Sequence, residues 1–241
     1  MPCEKIGGGR FSYEYDGRVF APSTDSFLLA SFAKPRRGDA VADLGAGAGL
    51  LSLLLAARDI SLRFLLIDKD AHAVSLAKEN FLRNGQAARA AYYTADVRLR
   101  AELPPVGSAD YAVANPPYFS ETRGKGSPDP ARRTARTEDG CTVDELAAAA
   151  KYLLRAGGRF ALVHRADRMA DVFAALRAHG LEPKRLRLFQ HSAASAPSLF
   201  LTEAVSGGRP GLLPEPTLIR YDADGGETAD YRRVYEGDDG K

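Results

Sequence analysis

Short apolar runs alternate along this chain with longer stretches whose apolar positions recur every three or four residues. Residues 40–43 (AVAD) are apolar up to a closing aspartate and lead into glycines, which predicts a first strand. Residues 48–58 (AGLLSLLLAAR) predict a helix, and 63–67 (RFLLI) a second strand. Asp70 supplies an N-cap for a helix over 71–84, with Gly85 as its stop. Residues 90–94 and 111–114 predict a third and a fourth strand. Thr142 caps a helix over 143–155 that Gly157-Gly158 should stop. A fifth strand follows at 159–164, then a helix over 167–179 ending at Gly180. Two late runs, 184–190 and 198–205, predict strands with no helix between them.

Alternating strand and helix means an α/β fold with a mostly parallel sheet covered on both faces. Strands that are apolar almost continuously fit a sheet buried on both sides. The last two strands, lacking a helix, should form an antiparallel hairpin. Three regions result: an N-terminal extension and first helix (1–37), a Rossmann-like core (38–206), and a tail packing on that core (207–241) whose acidic side chains are solvated. Residues 119–140 break the pattern as a polar loop without periodicity.

Composition narrows this picture. With 241 residues, 45% hydrophobic and 27% charged, the chain can hold one large domain and is not disordered. A net charge of +2 says nothing about partners. Cys3 and Cys141 lie far apart without companion ligands, so neither a disulfide framework nor a metal site is expected. The opening residues lack an apolar signal core, and the longest apolar run, 50–57, is too short to span a bilayer. A soluble, cytoplasmic protein of undetermined oligomeric state, monomer or homodimer, is expected.

Candidate chemistry begins at the end of the first strand. Asp43-Leu-Gly45-Ala46-Gly47-Ala-Gly49 is a DxGxGxG loop, in which glycines let backbone approach a ligand at the strand's carboxyl end. It is not the dinucleotide GxGxxG, because Leu50 stands where glycine is wanted, and no Gly-Lys-Ser/Thr triplet makes it a phosphate loop. Asp68, followed by Lys69, ends the second strand where an acid holds ribose hydroxyls. Asp96, after Ala95, ends the third and can receive an adenine amino group. Three acids at successive strand ends suit a cofactor with an amino acid group, a ribose and an adenine but no phosphate, which is S-adenosylmethionine.

Asn115-Pro116-Pro117-Tyr118 follows the fourth strand and is similar to the NPPY signature of amino-methyltransferases. An exocyclic amine on an aromatic ring is a poor nucleophile, its lone pair being delocalised. Its two N–H groups can be met by the Asn115 side-chain oxygen and the Pro116 carbonyl, which favours a pyramidal nitrogen with a free lone pair. Prolines hold those acceptors in place beforehand. Tyr118 offers a ring for base stacking, worth about 1–3 kcal/mol. No strong general base is needed. His164, next to Arg165, reads as a packing or surface residue, and Cys141 as an inert thiol.

The flanks are similar to a family within the NPPY enzymes. Ser23-Thr24-Asp25-Ser-Phe-Leu-Leu, DLGAGAGLLSLLLA, ANPPYF and the late FLTEAVSGGRPGL resemble the bacterial tRNA(Val) adenine-N6 methyltransferase family over residues 23–235. That resemblance implies a class I methyltransferase fold with a seven-stranded sheet and methylation of the adenine beside a valine tRNA anticodon. It also implies that Thr24 lies near the methionine end of the cofactor, with Asn115 serving both cofactor and substrate. It departs at Asp68, where glutamate is common. Arg123, Lys125, Arg132, Arg133 and Arg136, in the loop after NPPY, are candidate phosphate contacts beside Tyr118. A ribosomal RNA or protein-glutamine target, and a non-catalytic RNA-binding protein on the same fold, remain as alternatives.

Overall fold

The chain opens with a two-stranded antiparallel hairpin, β1 (Cys3–Ile6) and β2 (Phe11–Glu14). A helix, α1 (Thr24–Phe32), leads to the central sheet. The computed structural model describes residues 2–19, 21–116 and 141–236. Five strands run parallel in spatial order β5 (Ala90–Thr94), β4 (Arg63–Asp68), β3 (Ala40–Leu44), β6 (Ala109–Ala114) and β7 (Leu154–Arg165). Then β9 (Leu199–Ser206) pairs antiparallel with β7 and with β8 (Leu181–Ser192), which gives the expected terminal hairpin. Two short strands, β10 (Leu213–Pro214) and β11 (Leu218–Tyr221), pair parallel with β8 and raise the seven-stranded sheet to nine.

Alternate residues along each strand feed two separate cores. Val41, Tyr111 and Val113 face α1, α2 (Leu50–Arg58) and α3 (Ala71–Arg83). Ala42, Ala112 and Ala114 face α4 (Val143–Leu153) and α5 (Met169–Ala178). Burial on both sides explains why the strands read as unbroken apolar runs. Every residue of α2 except Arg58 is buried, so its sequence carries no polar stripe. The terminal helix α6 (Ala229–Glu236) folds back onto α1, burying Tyr231 and placing the Tyr235 ring 4.7 Å from that of Phe27. No described helix is long and apolar enough to cross a membrane.

The structure corrects one expectation and adds elements to the two terminal regions. Helix α4 ends at Leu153 and β7 begins at Leu154, so Gly157-Gly158 lies inside the strand rather than stopping the helix. Register shifts there between β6 and β7, and a Cβ at Gly158 would sit 2.9 Å from the Arg155 carbonyl oxygen. Glycine therefore serves a close backbone approach. The residues after 207 contribute strands and a helix, and among the described acids Asp222, Asp224 and Asp230 are exposed. The hairpin at the N-terminus, read only as an extension, is a built element.

What holds the hairpin is a pair of asparagines one helical turn apart at the end of α3, Asn80 in its last turn and Asn84 as its C-cap. Asn84 Oδ1 accepts from Ser12 N at 2.9 Å and Asn84 Nδ2 donates to Ser12 O at 2.7 Å. Asn80 repeats the pattern with Glu14 N and O, both at 2.9 Å, and Nδ2 also donates to Ala48 O at 3.0 Å. The two amides thus act as a substitute strand edge for β2. Arg83 adds an ion pair to Glu14 at 2.8 Å, and His72 Nε2 and Asp16 Oδ2 share a hydrogen bond at 2.8 Å.

Asn80→Ala should destabilise the protein by about 1–3 kcal/mol, because it strands buried backbone groups of two segments. The check is the urea midpoint. An unchanged midpoint would mean that the hairpin is held elsewhere.

Candidate active site

The glycine loop joins β3 to α2 at the carboxyl edge of the sheet. Gly45 and Ala46 both donate their backbone N–H to Ile67 O, at 2.9 and 3.0 Å, which folds the loop back over the end of β4. Gly47 N donates to Asp68 Oδ2 at 2.8 Å. Gly45 and Gly47 take φ of +76° and +53°, with open space where a Cβ would stand. Gly49 differs: with φ +84°, its Cβ would meet Leu66 at 3.1 Å and Ala77 at 3.3 Å. Its hydrogen atom lets α2 pack against β4 and α3.

A cavity of about 800 Å³ opens above this loop. The structure brings Asp43, Gly45, Ala46, Gly47, Asp68 and Lys69 to its wall, together with Ala95, Asp96, Asn115 and Pro116. Two expected residues do not line it. Gly49 is used in packing, as above. Thr24 turns away, and its Oγ1 accepts a hydrogen bond from Tyr235 OH at 3.3 Å. Its neighbours Ser23, Asp25 and Ser26 face the cavity instead, because the first turn of α1 presents those positions. Pro117, Tyr118, Arg123, Lys125, Arg132, Arg133 and Arg136 lie outside the described residues.

Each acid at a strand end has its own environment. Asp43 is buried, and its Oδ2 accepts from Ser52 Oγ at 2.7 Å. Burial, opposed by the Ser52 bond, pushes its carboxyl up to about 7. Asp68 accepts from Gly47 N and, through Oδ1, from Asp70 N at 2.9 Å. Asp96 is gripped by Arg98, whose Nε and Nη2 donate at 2.9 and 2.5 Å. That bond holds the Asp96 carboxyl below the usual range.

Asn115 stands at the end of β6. Its Nδ2 donates to Ser26 Oγ at 3.0 Å and, more loosely, to Ser23 Oγ at 3.5 Å. With the amide hydrogens committed to serines, Oδ1 is left as an acceptor. His164 is largely buried, its Nδ1 accepts from Arg165 N at 2.9 Å, and burial depresses its pKa, so it is a packed neutral ring that does not line the cavity. Cys141 lies on the cavity wall, where burial pushes its thiol up to about 12 and keeps it protonated. No group of described residues has a metal-ligating arrangement.

Several wall residues were not among the expected site residues, and four of them carry polar groups on side chains beside the expected acids and amide. Tyr13 reaches the cavity from β2, in a strand too short to show a period. Asp25 and Ser26 sit in the first turn of α1, beside the residue singled out. Arg98 follows Asp96 by two positions, a spacing compatible with pairing but not specific to it.

The donor set and the space both fit S-adenosylmethionine. Asp68, Asp96 and the glycine loop offer acceptors and close backbone along one edge, and the cavity is of small-molecule size. A cofactor's positive charge anywhere in the cavity that Asp43 lines favours the ionised form of its carboxyl. Below pH 7 binding must therefore release a proton, so affinity for S-adenosylhomocysteine should tighten between pH 6 and 8. In the free protein the sign is opposite: this group's stabilisation is complete below the ordinary carboxyl pKa and is lost as pH rises through about 7. Asp43→Asn should flatten both dependences in calorimetry and thermal unfolding, and a pH profile surviving in the variant would exclude Asp43 as its source.

The model of the methyltransferase small domain matches residues 21–179. A tRNA1(Val) (adenine(37)-N6)-methyltransferase of Bacteroides fragilis is 30% identical over 212 residues, covering 88% of this chain and 81% of the relative. One so named in Vibrio vulnificus is 34% identical over 62% of this chain and 61% of its own. Among solved structures, a predicted O-methyltransferase from Agrobacterium tumefaciens superposes with a TM-score of 0.71 at 22% identity, over 87% of this chain and 94% of that one. A methyltransferase from Pyrococcus furiosus gives 0.61 at 16% identity, over 82% and 90%. The fold is thus that of the class I methyltransferases, the cofactor is S-adenosylmethionine, and the chain belongs to the methyltransferase small domain family.

Proposed function

We propose that the protein methylates the exocyclic N6 amine of an adenine in tRNA, in the anticodon loop of a valine tRNA. The observation that carries this reading is the fixed Asn115 amide. Its Nδ2 is tied to Ser26, which leaves Oδ1 as the acceptor of a residue lining the same cavity as the glycine loop. An acceptor oxygen so placed selects a group that donates hydrogen bonds, which is the chemistry of an amine rather than of a ring nitrogen. The names of the curated relatives, adenine-N6 methyltransferases of tRNA1(Val), supply the target.

The chain's residues divide the work. Asp68, Asp96 and the glycine loop hold the cofactor, which supplies an electrophilic methyl group on a sulfonium. Asn115 Oδ1 and the Pro116 carbonyl take the two N–H groups of the target amine and free its lone pair. Since both acceptors are in place before substrate arrives, little reorganisation is needed at the moment of transfer. Once methylated, the nitrogen is strongly acidic and loses its extra proton to water. The absence of a free imidazole at His164 therefore costs nothing. Tyr118 stacks the flipped base, and Arg123, Lys125, Arg132, Arg133 and Arg136 contact phosphates. These roles rest on the sequence alone.

Asn115→Ala should abolish methyl transfer to valine tRNA while leaving cofactor affinity within about twofold, read by tritiated-methyl incorporation and by calorimetry. Wild-type turnover in that variant would refute the assignment. Binding of the tRNA should weaken steeply as salt rises, with log K falling linearly in log salt. A flat response would remove the basic loop from the interface.

A further inference from the structure

Four aspartates line the cofactor cavity, and three of them are engaged within the protein. Asp43 shares its carboxylate with Ser52 beneath the loop. Asp68 takes the backbone N–H groups of Gly47 and Asp70. Asp96 is forked by Arg98. Asp25 is different: half-buried in the first turn of α1, it makes no hydrogen bond or ion pair among the described residues.

We propose that Asp25 is the counter-ion of the cofactor's ammonium group. Placement comes first. Along the sheet edge the order runs from Asp96 at β5, through Asp68 at β4 and the glycine loop at β3, to Asn115 at β6. Asp96 and Asp68 stand at the adenine and ribose end. Asp25 stands at the other end, adjacent in sequence to Ser26, which bonds Asn115. That is where the amino acid group of an extended cofactor ends.

Chemistry comes second. An ammonium carries three N–H donors and is strongly hydrated, so it enters a half-buried site only where acceptors replace its water. A carboxylate without a protein partner is such an acceptor, and the bond formed is charge-assisted. The sulfonium has no N–H to donate and spreads its charge over its substituents, so it makes no comparable demand. An acid in the first turn also favours the helix dipole of α1. If that were its whole purpose, ligand binding would not depend on it.

The test is calorimetric titration of Asp25→Asn with S-adenosylmethionine, S-adenosylhomocysteine and 5′-methylthioadenosine, the last lacking the amino acid group. Affinity for the first two should fall by the same factor, roughly 10–100-fold as for a lost charge-assisted bond, while the third changes by less than about twofold. Asp25→Ser should behave alike, and because both replacements suit a first helical turn, either one can carry the test if the other fails to fold. Unchanged affinity for S-adenosylhomocysteine overturns the proposal and leaves Asp25 a helix-stabilising acid. Loss for S-adenosylmethionine alone overturns it in favour of a contact with the sulfonium. Equal loss for all three overturns it by showing a general disturbance of the cavity. These titrations read binding without turnover, so their result is independent of whether Asn115 carries the chemistry.

Discussion

One buried amide holds together the parts that make the pocket. Asn80, 1% exposed, bonds β2 through both Glu14 backbone groups and the glycine loop through Ala48 O. Each of these partners is a backbone group that would otherwise be buried unpaired, so the arrangement is enforced by polar satisfaction rather than by shape. The loop is thereby fixed relative to β2, and β2 brings Tyr13 to the cavity wall. Burial raises the Tyr13 hydroxyl far above its ordinary pKa, with nearby Asp43 adding to the effect. The wall it provides is neutral.

Above that framework the cavity draws its wall from several strand ends. Acids at the ends of β4 and β5 and the loop after β3 line one stretch of the cavity wall. The end of β6 presents Asn115, whose orientation is set from α1 by Ser26. A parallel sheet makes this arrangement natural, since all the strand ends emerge at one edge while each keeps its own loop.

Much of this was legible in the sequence, and the misses have physical causes. The strands showed themselves because two-sided burial makes them apolar throughout, and the loop because Gly45 and Gly47 need positive φ. The four-residue strands of the N-terminal hairpin gave no usable period, and their partner is a pair of asparagine side chains that no pairing rule describes. The end of α4 was placed late because Gly157-Gly158 resembles a helix stop, whereas the glycines serve a register shift beside β6. Thr24, which the family resemblance puts near the methionine end, turns to Tyr235 while Asp25 and Ser26 line the cavity, because one residue along a helix turns a side chain by a wide angle and sequence alone does not give that phase.

Tyr235, close to the end of the described chain, rests on Phe27 and donates to Thr24, so α1 is clasped by the last helix as well as by what precedes it. During synthesis the amino-terminal parts emerge first and fold first. The wall that carries Ser26 and Asp25 nonetheless has its backing only when residue 235 has left the ribosomal tunnel. It follows that a nascent chain carries an unfinished pocket until helix α6 has emerged, and that completion of the wall at α1 waits on that helix.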